Sequence, residues 1–289
     1  MALTSCIIDT VDLAAYGIFI ERGGSDDFIS FPDRRTPDTN DWAEHDGLEV
    51  DLTDCSFEAK RVRVNYVIVA NDEATFNHYL NSFETLHFAE GFREIFVREY
   101  NKTFLLRFLG FSSYRHKGGL YNPRKKIGKI TAEYSMDNPL QFFTDTITEP
   151  IGARKNMAYV TLNQFDLSRF GIVVQDVYST ALQPRSTKSV LERKIQHISG
   201  IAADTGFVPK RRSRQIVIEC TMLANSLLEF WTNYTALFNN LRVTVPVQFG
   251  ITRTNKIINC YYSKMTNFRK ETPFARRIKV SFNLILQEL

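Results

Sequence analysis

At 289 residues the chain is long enough for about two domains of roughly 100–200 residues, or for one large β domain. Hydrophobic residues make up 44% and charged residues 24%, near the averages for soluble globular chains, which argues against a disordered chain, a collagen or a coiled coil. The 36 Lys and Arg against 32 Asp and Glu leave only +4, too weak a bias by itself to imply nucleic acid or a membrane surface.

The aromatic profile, 23 Phe and 12 Tyr against 2 Trp, suits β-sheet cores. Cys6, Cys55, Cys220 and Cys260 are widely separated with no CxxC spacing, so neither a zinc site nor a disulfide framework is expected and a reducing compartment is the default. The opening residues lack a basic stretch followed by an apolar core, so no secretory signal is expected there. No apolar run approaches the ~18 residues of a membrane-spanning helix.

In chain order, a short strand around residues 18–20 is followed by a long polar segment. Residues 60–68 alternate as a basic and apolar strand, with Val62, Val64 and Tyr66 on one face. Asn71-Asp72-Glu73 is a helix start, and Phe76, Tyr79, Leu80, Phe83 and Leu86 follow at helical spacing. Strands at 94–98 and 104–109 flank a hairpin loop, and 127–136 forms a further strand closed by Asn138-Pro139. Residues 140–157 read as a linker.

The same order then recurs. Asp12-Leu13 and Tyr16-Gly17-Ile18 return as Asp166-Leu167 and Phe170-Gly171-Ile172, a shift of 154. Ile216, Ile218 and Cys220 answer Val62, Val64 and Tyr66; Asn255-Lys256 answers Asn101-Lys102; Phe268-Arg269 answers Tyr114-Arg115. A second helix opens at Asn225-Ser226 with Leu228, Trp231, Tyr234, Phe238 and Leu241 as its stripe. Ile278, Val280, Phe282, Leu284 and Leu286 share one face of the last strand. A domain-sized period means a tandem domain, not a solenoid. The expectation is a mainly β chain of two copies, 1–139 and 158–289. Each is an antiparallel β-sandwich or split barrel with one flanking amphipathic helix that buries a single face.

Signatures of catalysis are missing: there is no GxSxG, HExxH, GxGxxG, Walker A run or EF-hand loop. The five histidines never pair at metal-ligand spacing, and His78 and His87 read as structural residues of the first helix. No enzyme and no cofactor are expected. Two basic clusters, Arg115 with Arg124, Lys125 and Lys126, and Arg211 with Arg212, have two readings. They are a solvated hairpin and a charged strand edge, or a surface facing nucleic acid phosphates with Tyr114, Tyr121 and Phe268 for stacking.

Charge is distributed unequally between the copies. Residues 21–54 hold eleven acidic and three basic side chains, whereas 175–210 hold three acidic and five basic. Drift on solvated loops is one account; the other is that copy one meets copy two of a neighbouring chain, with Trp42 as an apolar anchor.

The order within each copy resembles the tail-tube and baseplate-hub fold of tailed bacteriophages, most closely the belt domain of distal tail proteins. The resemblance is carried by Asp12-Leu13 with Tyr16-Gly17-Ile18, the loop with Pro32, Arg34, Arg35, Thr36 and Asp41-Trp42, the helix from Phe76 to Leu86, and the closing strand before Asn138-Pro139. The second copy keeps Asp166-Leu167, Phe170-Gly171-Ile172, Pro184-Arg185, the Trp231 helix and the last strand, with nothing matching Trp42.

The resemblance implies a virion tail protein, assembled in the bacterial host cytoplasm, that forms a ring around a DNA channel and links tube to tip. The channel passes DNA without sequence recognition, and the partners are adjacent tail-tube and tail-tip proteins. Two domains per chain imply a homotrimer with pseudo-sixfold symmetry, or a homohexamer. Inter-subunit contact is then expected from Arg34, Arg35, Asp41, Trp42, Glu44, Arg185, Lys188, Arg193 and Lys194. The second domain resembles the first instead of a carbohydrate-binding module, which moves weight from receptor binding to a hub or tube role. The alternative is a duplicated β-barrel module that binds single-stranded nucleic acid.

Overall fold

The computed structural model describes residues 4–117, 125–151, 158–163, 165–189, 208–274 and 277–289, with positions 196, 199 and 206. In the first copy the strands are β1 (Cys6–Ile8), β2 (Val11–Asp12), β3 (Ile18–Ile20), the small hairpin β4 (Thr39–Asn40) and β5 (Glu49–Val50), β6 (Lys60–Ala70), β7 (Arg93–Val97), β8 (Lys102–Lys117) and β9 (Lys126–Met136). Its helices are α1 (Asp26–Ile29) and α2 (Glu73–His87). The second copy has β10 (Val160–Leu162), β11 (Phe165–Asp166), β12 (Ile172–Asp176), β13 (Gln215–Ala224), β14 (Val247–Ile251), β15 (Lys256–Lys270) and β16 (Ile278–Glu288), with helices α3 (Tyr178–Ala181) and α4 (Leu227–Leu241).

The two seven-stranded antiparallel sheets have the same order, β2-β1-β7-β8-β9-β6-β3 and β11-β10-β14-β15-β16-β13-β12. β1, β2, β3, α2, β7 and the start of β8 lie 154 positions before β10, β11, β12, α4, β14 and the start of β15, and the last strands lie 152 apart. The fold is therefore mainly β and written twice. Each long strand serves two parts of its sheet: β8 pairs with β7 through Lys102–Leu106 and with β9 from Arg107 onward. A backbone bridge from Thr4 to Ile20 ties the lead-in of β1 to β3 and draws the first sheet towards a barrel. Alternation explains the strands: Val62, Val64, Tyr66 and Ile68 are fully buried on one face of β6, and Ile216, Ile218, Cys220 and Met222 on β13.

The repeated Asp-Leu and Gly-Ile motifs have one physical cause. Asp12 and Asp166 each cap a 3-10 turn, accepting from the amides of Ala14 at 3.1 Å and Ser168 at 2.8 Å. Gly17 and Gly171 close those turns in the left-handed region, at φ of 60° and 88°. A Cβ at Gly17 would stand 2.3 Å from the Val69 carbonyl. The short β1-β2 and β10-β11 hairpins are absent from the sequence reading, because strands of two or three residues show no periodicity to read.

Both long helices start at the residues expected. Asp72 and Ser226 accept from the amides of Thr75 at 2.7 Å and Glu229 at 3.1 Å. One expectation fails. Helix α2 buries Phe76, Phe83 and His87 as a single-faced helix should, but α4 buries nine residues, including Asn233, Tyr234, Phe238 and Asn239, around most of its circumference. Its second face is covered by the segment between β3 and β6 and by the chain joining the copies.

Candidate assembly interface

The segment from residue 21 to 59 is not the solvated polar loop that its composition suggests. Phe28, Ile29, Phe31, Leu52 and Phe57 are all buried. Phe28 packs on Phe104 of its own copy at 4.7 Å between ring centroids, while Phe31 crosses to the other copy, 4.4 Å from Tyr234 and 4.7 Å from Phe238. Phe57 lies 5.3 Å from Phe238. These residues make the segment an arm laid over α4 and β15.

Polar groups fix its register. Tyr234 donates through its phenol to the Ile29 carbonyl at 2.6 Å, and Tyr262 donates to the Pro32 carbonyl at 3.0 Å. The Arg34 amide donates to the Ser263 carbonyl at 2.9 Å, and the Phe31 amide points at the Met265 sulfur at 3.4 Å. The buried Arg34 guanidinium donates to the carbonyls of Val243 at 3.2 Å and Asp54 at 3.1 Å. Backbone carbonyls thus satisfy two of its nitrogens; among the described residues no carboxylate pairs with it and its Nε has no partner.

The arm tip, residues 38–51, carries half of the arm's twelve acidic residues and no Lys or Arg, and it meets the basic base of the corresponding arm in the second copy. Lys188, 5% exposed at its side chain, pairs with Asp41 at 2.6 Å and donates to the Trp42 carbonyl at 2.7 Å. The Arg211 amide donates to Asp46 at 2.6 Å, which is the chief reason that the Asp46 carboxyl is held below its ordinary pKa. Gly47, at φ of 75°, donates its amide to the Arg211 carbonyl at 2.9 Å.

Two further seams join the copies. The Trp231 indole donates to the Tyr100 carbonyl at 3.1 Å beneath Lys102, whose ammonium sits 5.1 Å from the ring centroid, and Lys270 pairs with Glu99. After β9, Phe143 packs 4.3 Å from Phe238, and Asn239 donates to the carbonyls of Thr144 at 2.7 Å and Ile147 at 2.6 Å.

The residues expected at inter-subunit contacts therefore stand as follows. Arg34, Asp41 and Lys188 are engaged between the two copies of one chain, and the opposite charges anticipated between neighbours meet here within a chain. Arg35 is exposed and faces Glu58 at 3.6 Å. Arg185 is held by Glu288, which also takes Arg214 at 2.9 Å. Trp42 is half exposed, with its indole on Glu49 at 2.7 Å, and Glu44 is exposed. Arg193 and Lys194 lie outside the described residues.

Of the possible phosphate-facing residues, Arg115 and Lys125 are exposed, Lys126 pairs with Glu73 at 3.1 Å, and Arg212 donates to Ser189 at 3.1 Å. Arg211 is at the arm contact, and Arg124 and Tyr121 lie outside the described residues. Phe268 stacks on Phe282 at 6.2 Å and 10° and is no free platform.

All four cysteines are unpaired, and among the described residues no cluster of three or more His, Cys, Asp or Glu could hold a metal ion. No helix among them is long and apolar enough to cross a membrane. His87 is buried, its Nε2 2.5 Å from the Tyr134 hydroxyl and its Nδ1 2.7 Å from the Phe83 carbonyl, as a structural histidine should be.

Sequence reading missed the arm contact, yet carried a signal for it: Phe28, Ile29, Phe31 and Phe57 interrupt the acidic run where a solvated loop has no use for them.

No family model matches the chain, and no curated protein matches its sequence. Among solved structures, it is similar to the crystal structure of SPP1 Dit (gp 19.1) protein, described as a paradigm of the hub adsorption apparatus in phages infecting Gram-positive bacteria. That similarity covers 99% of each chain at 10% identity with a TM-score of 0.36.

Proposed function

We propose that this chain is a non-enzymatic structural protein of a phage or phage-like tail. In this reading it forms a ring at the distal tail or baseplate hub, around the channel through which DNA passes, and links tube to tip. It works as two copies, 1–139 and 158–289, joined by 140–157. The observation that carries the reading is the arm of copy one seated on copy two. The surfaces on the two sides differ, so the contact is heterologous, and heterologous contacts repeat into closed rings when the rotation closes. Three chains supply six modules, which gives a homotrimer with pseudo-sixfold symmetry, with adjacent tail-tube and tail-tip proteins stacked on its faces in the virion tail.

The sequence resemblance to the tail-tube and hub fold supports the same role. The single-stranded nucleic acid reading loses support, because Lys126 is paired within the chain and Phe268 is stacked. The test is the native mass of the purified chain together with negative-stain images. Closed rings of three chains are expected. A strict monomer, with salt-dependent oligonucleotide binding that is lost on reversing Arg115, Lys125 and Arg212, would overturn the ring in favour of nucleic acid binding.

A further inference from the structure

Helices α2 and α4 hold the same place in their copies, but among the described residues no arm covers the outward side of α2. At positions 154 apart, Phe108 stands where Tyr262 does, Phe111 where Met265 does and Tyr114 where Phe268 does. Under the arm Tyr262 and Met265 are buried; in the first copy Phe108 and Phe111 are half-buried and Tyr114 is 52% exposed. Phe88, 72% exposed, completes the patch at 5.5 Å from Phe108 and 6.1 Å from Phe111. A contiguous exposed aromatic patch of this kind marks an interaction surface.

The second copy also has an arm of the same build. A backbone bridge joins Arg34 to Phe57 in one and Thr187 to Arg211 in the other. Flanking backbone bonds match as well: the Glu58 amide donates to the Asp33 carbonyl at 2.9 Å where the Arg212 amide donates to the Ser186 carbonyl at 2.8 Å, and the Arg35 amide donates to the Ser56 carbonyl at 3.0 Å where the Lys188 amide donates to the Lys210 carbonyl at 2.8 Å. Arg211 thus holds the place of Phe57. On the helices, Glu84 holds the place of Phe238 and is exposed on the bare side of α2.

We infer that the bare face of α2 and β8 seats a second copy of this chain. The neighbour's second arm, through its described flanks 177–189 and 208–214, lies there as the first arm lies on α4 and β15. The inference rests on the self-assembly reading above. The Phe57–Phe238 contact inside one chain becomes an Arg211–Glu84 pair between chains. Both sides have exchanged together, from apolar against apolar to cation against anion. The exchange also sets the order around the assembly, because the first arm on α2 would place Phe57 against a carboxylate, and the second arm on α4 would place Arg211 against a phenyl ring in an apolar seat.

A charge swap on the full chain tests this, read by native mass and sedimentation velocity, with far-UV melting as the check on folding. Glu84→Arg and Arg211→Glu should each weaken self-association by about tenfold or more, and the double variant should restore it. Phe88→Ser, at a solvent-exposed position, should weaken it without lowering the melting temperature. Single swaps without effect, a double variant that stays dissociated, or a wild-type chain that is monomeric at every soluble concentration would each overturn the inference. Images separate it from the ring: open filaments that obey the swap keep this contact and overturn the ring, while closed rings indifferent to the swap keep the ring and overturn this contact.

Discussion

Tyr234 of α4 donates its phenol proton to the carbonyl of Ile29 at 2.6 Å, across the seam between the two copies. Both groups are cut off from water, since Tyr234 and Ile29 are fully buried. Burial also holds the Tyr234 phenol well above its ordinary pKa, so it remains a donor throughout the physiological range.

Tyr234→Phe removes that donor and leaves a buried carbonyl unpaired, which costs ~1–3 kcal/mol. Urea unfolding should show the midpoint fall with little change in slope, because the surface exposed on unfolding is unchanged. Tyr262→Phe, which unpairs Pro32, should behave likewise. If both variants match wild type, these bonds do not anchor the arm.

Phe31 is the apolar counterpart of those bonds, in ring contact with Phe143, Tyr234, Phe238, Tyr262 and Phe282. Phe31→Ala should cost ~3–5 kcal/mol through lost transfer energy and a cavity. It should also loosen the arm, read as faster proteolytic cleavage within 38–51. Phe88→Ala, at an exposed site, should stay within about 0.5 kcal/mol of wild type.

The contrast between Phe31 and Phe88 bears on what could be read from sequence. Strands β6, β13 and β16, helix starts at Asp72 and Ser226, and the 154-residue shift were legible, because each is a local pattern of spacing or capping. Where the arm goes was not. Phe31 and Tyr234 are joined by tertiary packing, which leaves no periodic trace, and the acidic residues around Phe31 mask its burial. The charge contrast between the loops was legible, but its sign pattern does not say whether Asp41 meets Lys188 of its own chain or of another. The single-faced stripe expected of α4 failed for the same reason: its second face is apolar because of a segment about 200 residues away in sequence.

Gly47 tests the arm tip by backbone geometry. It sits at φ of 75°, and a Cβ there would stand 2.6 Å from a Leu289 carboxyl oxygen and 2.8 Å from its carbon, a contact that turning the carboxyl does not relieve. Gly91 has φ of 89° with nothing within 4 Å of a built Cβ. Gly91→Ala should therefore cost only the left-handed strain, about 1 kcal/mol. Gly47→Ala should cost clearly more and release the tip, measured as faster amide exchange in 38–51. Equal effects in the two variants would show that the tip is not held against Leu289.

Two groups, the buried His87 and the half-buried Asp26, give stability a pH dependence of opposite sign. Burial lowers the His87 pKa from 6.5 to about 4. Between those values the unfolded chain binds the proton and the folded chain does not, so the contribution is full above 6.5 and is lost as pH falls towards 4, at most about 3 kcal/mol. Asp26 runs the other way. Burial raises it from 3.8 to about 6 despite the Lys270 amide at 3.2 Å, and its Oδ1 has no partner. The folded chain then holds the extra proton, so its contribution is full below 3.8 and is lost as pH rises through 6. Urea midpoints between pH 4 and 7 should be nearly flat in wild type where the two offset. Asp26→Asn should raise stability at pH 7 and expose the full His87 slope, with stability climbing steadily from pH 4 to 6.5. His87→Phe should leave the Asp26 slope, with stability falling over the same range. Parallel profiles in the two variants would refute the assignment of either proton.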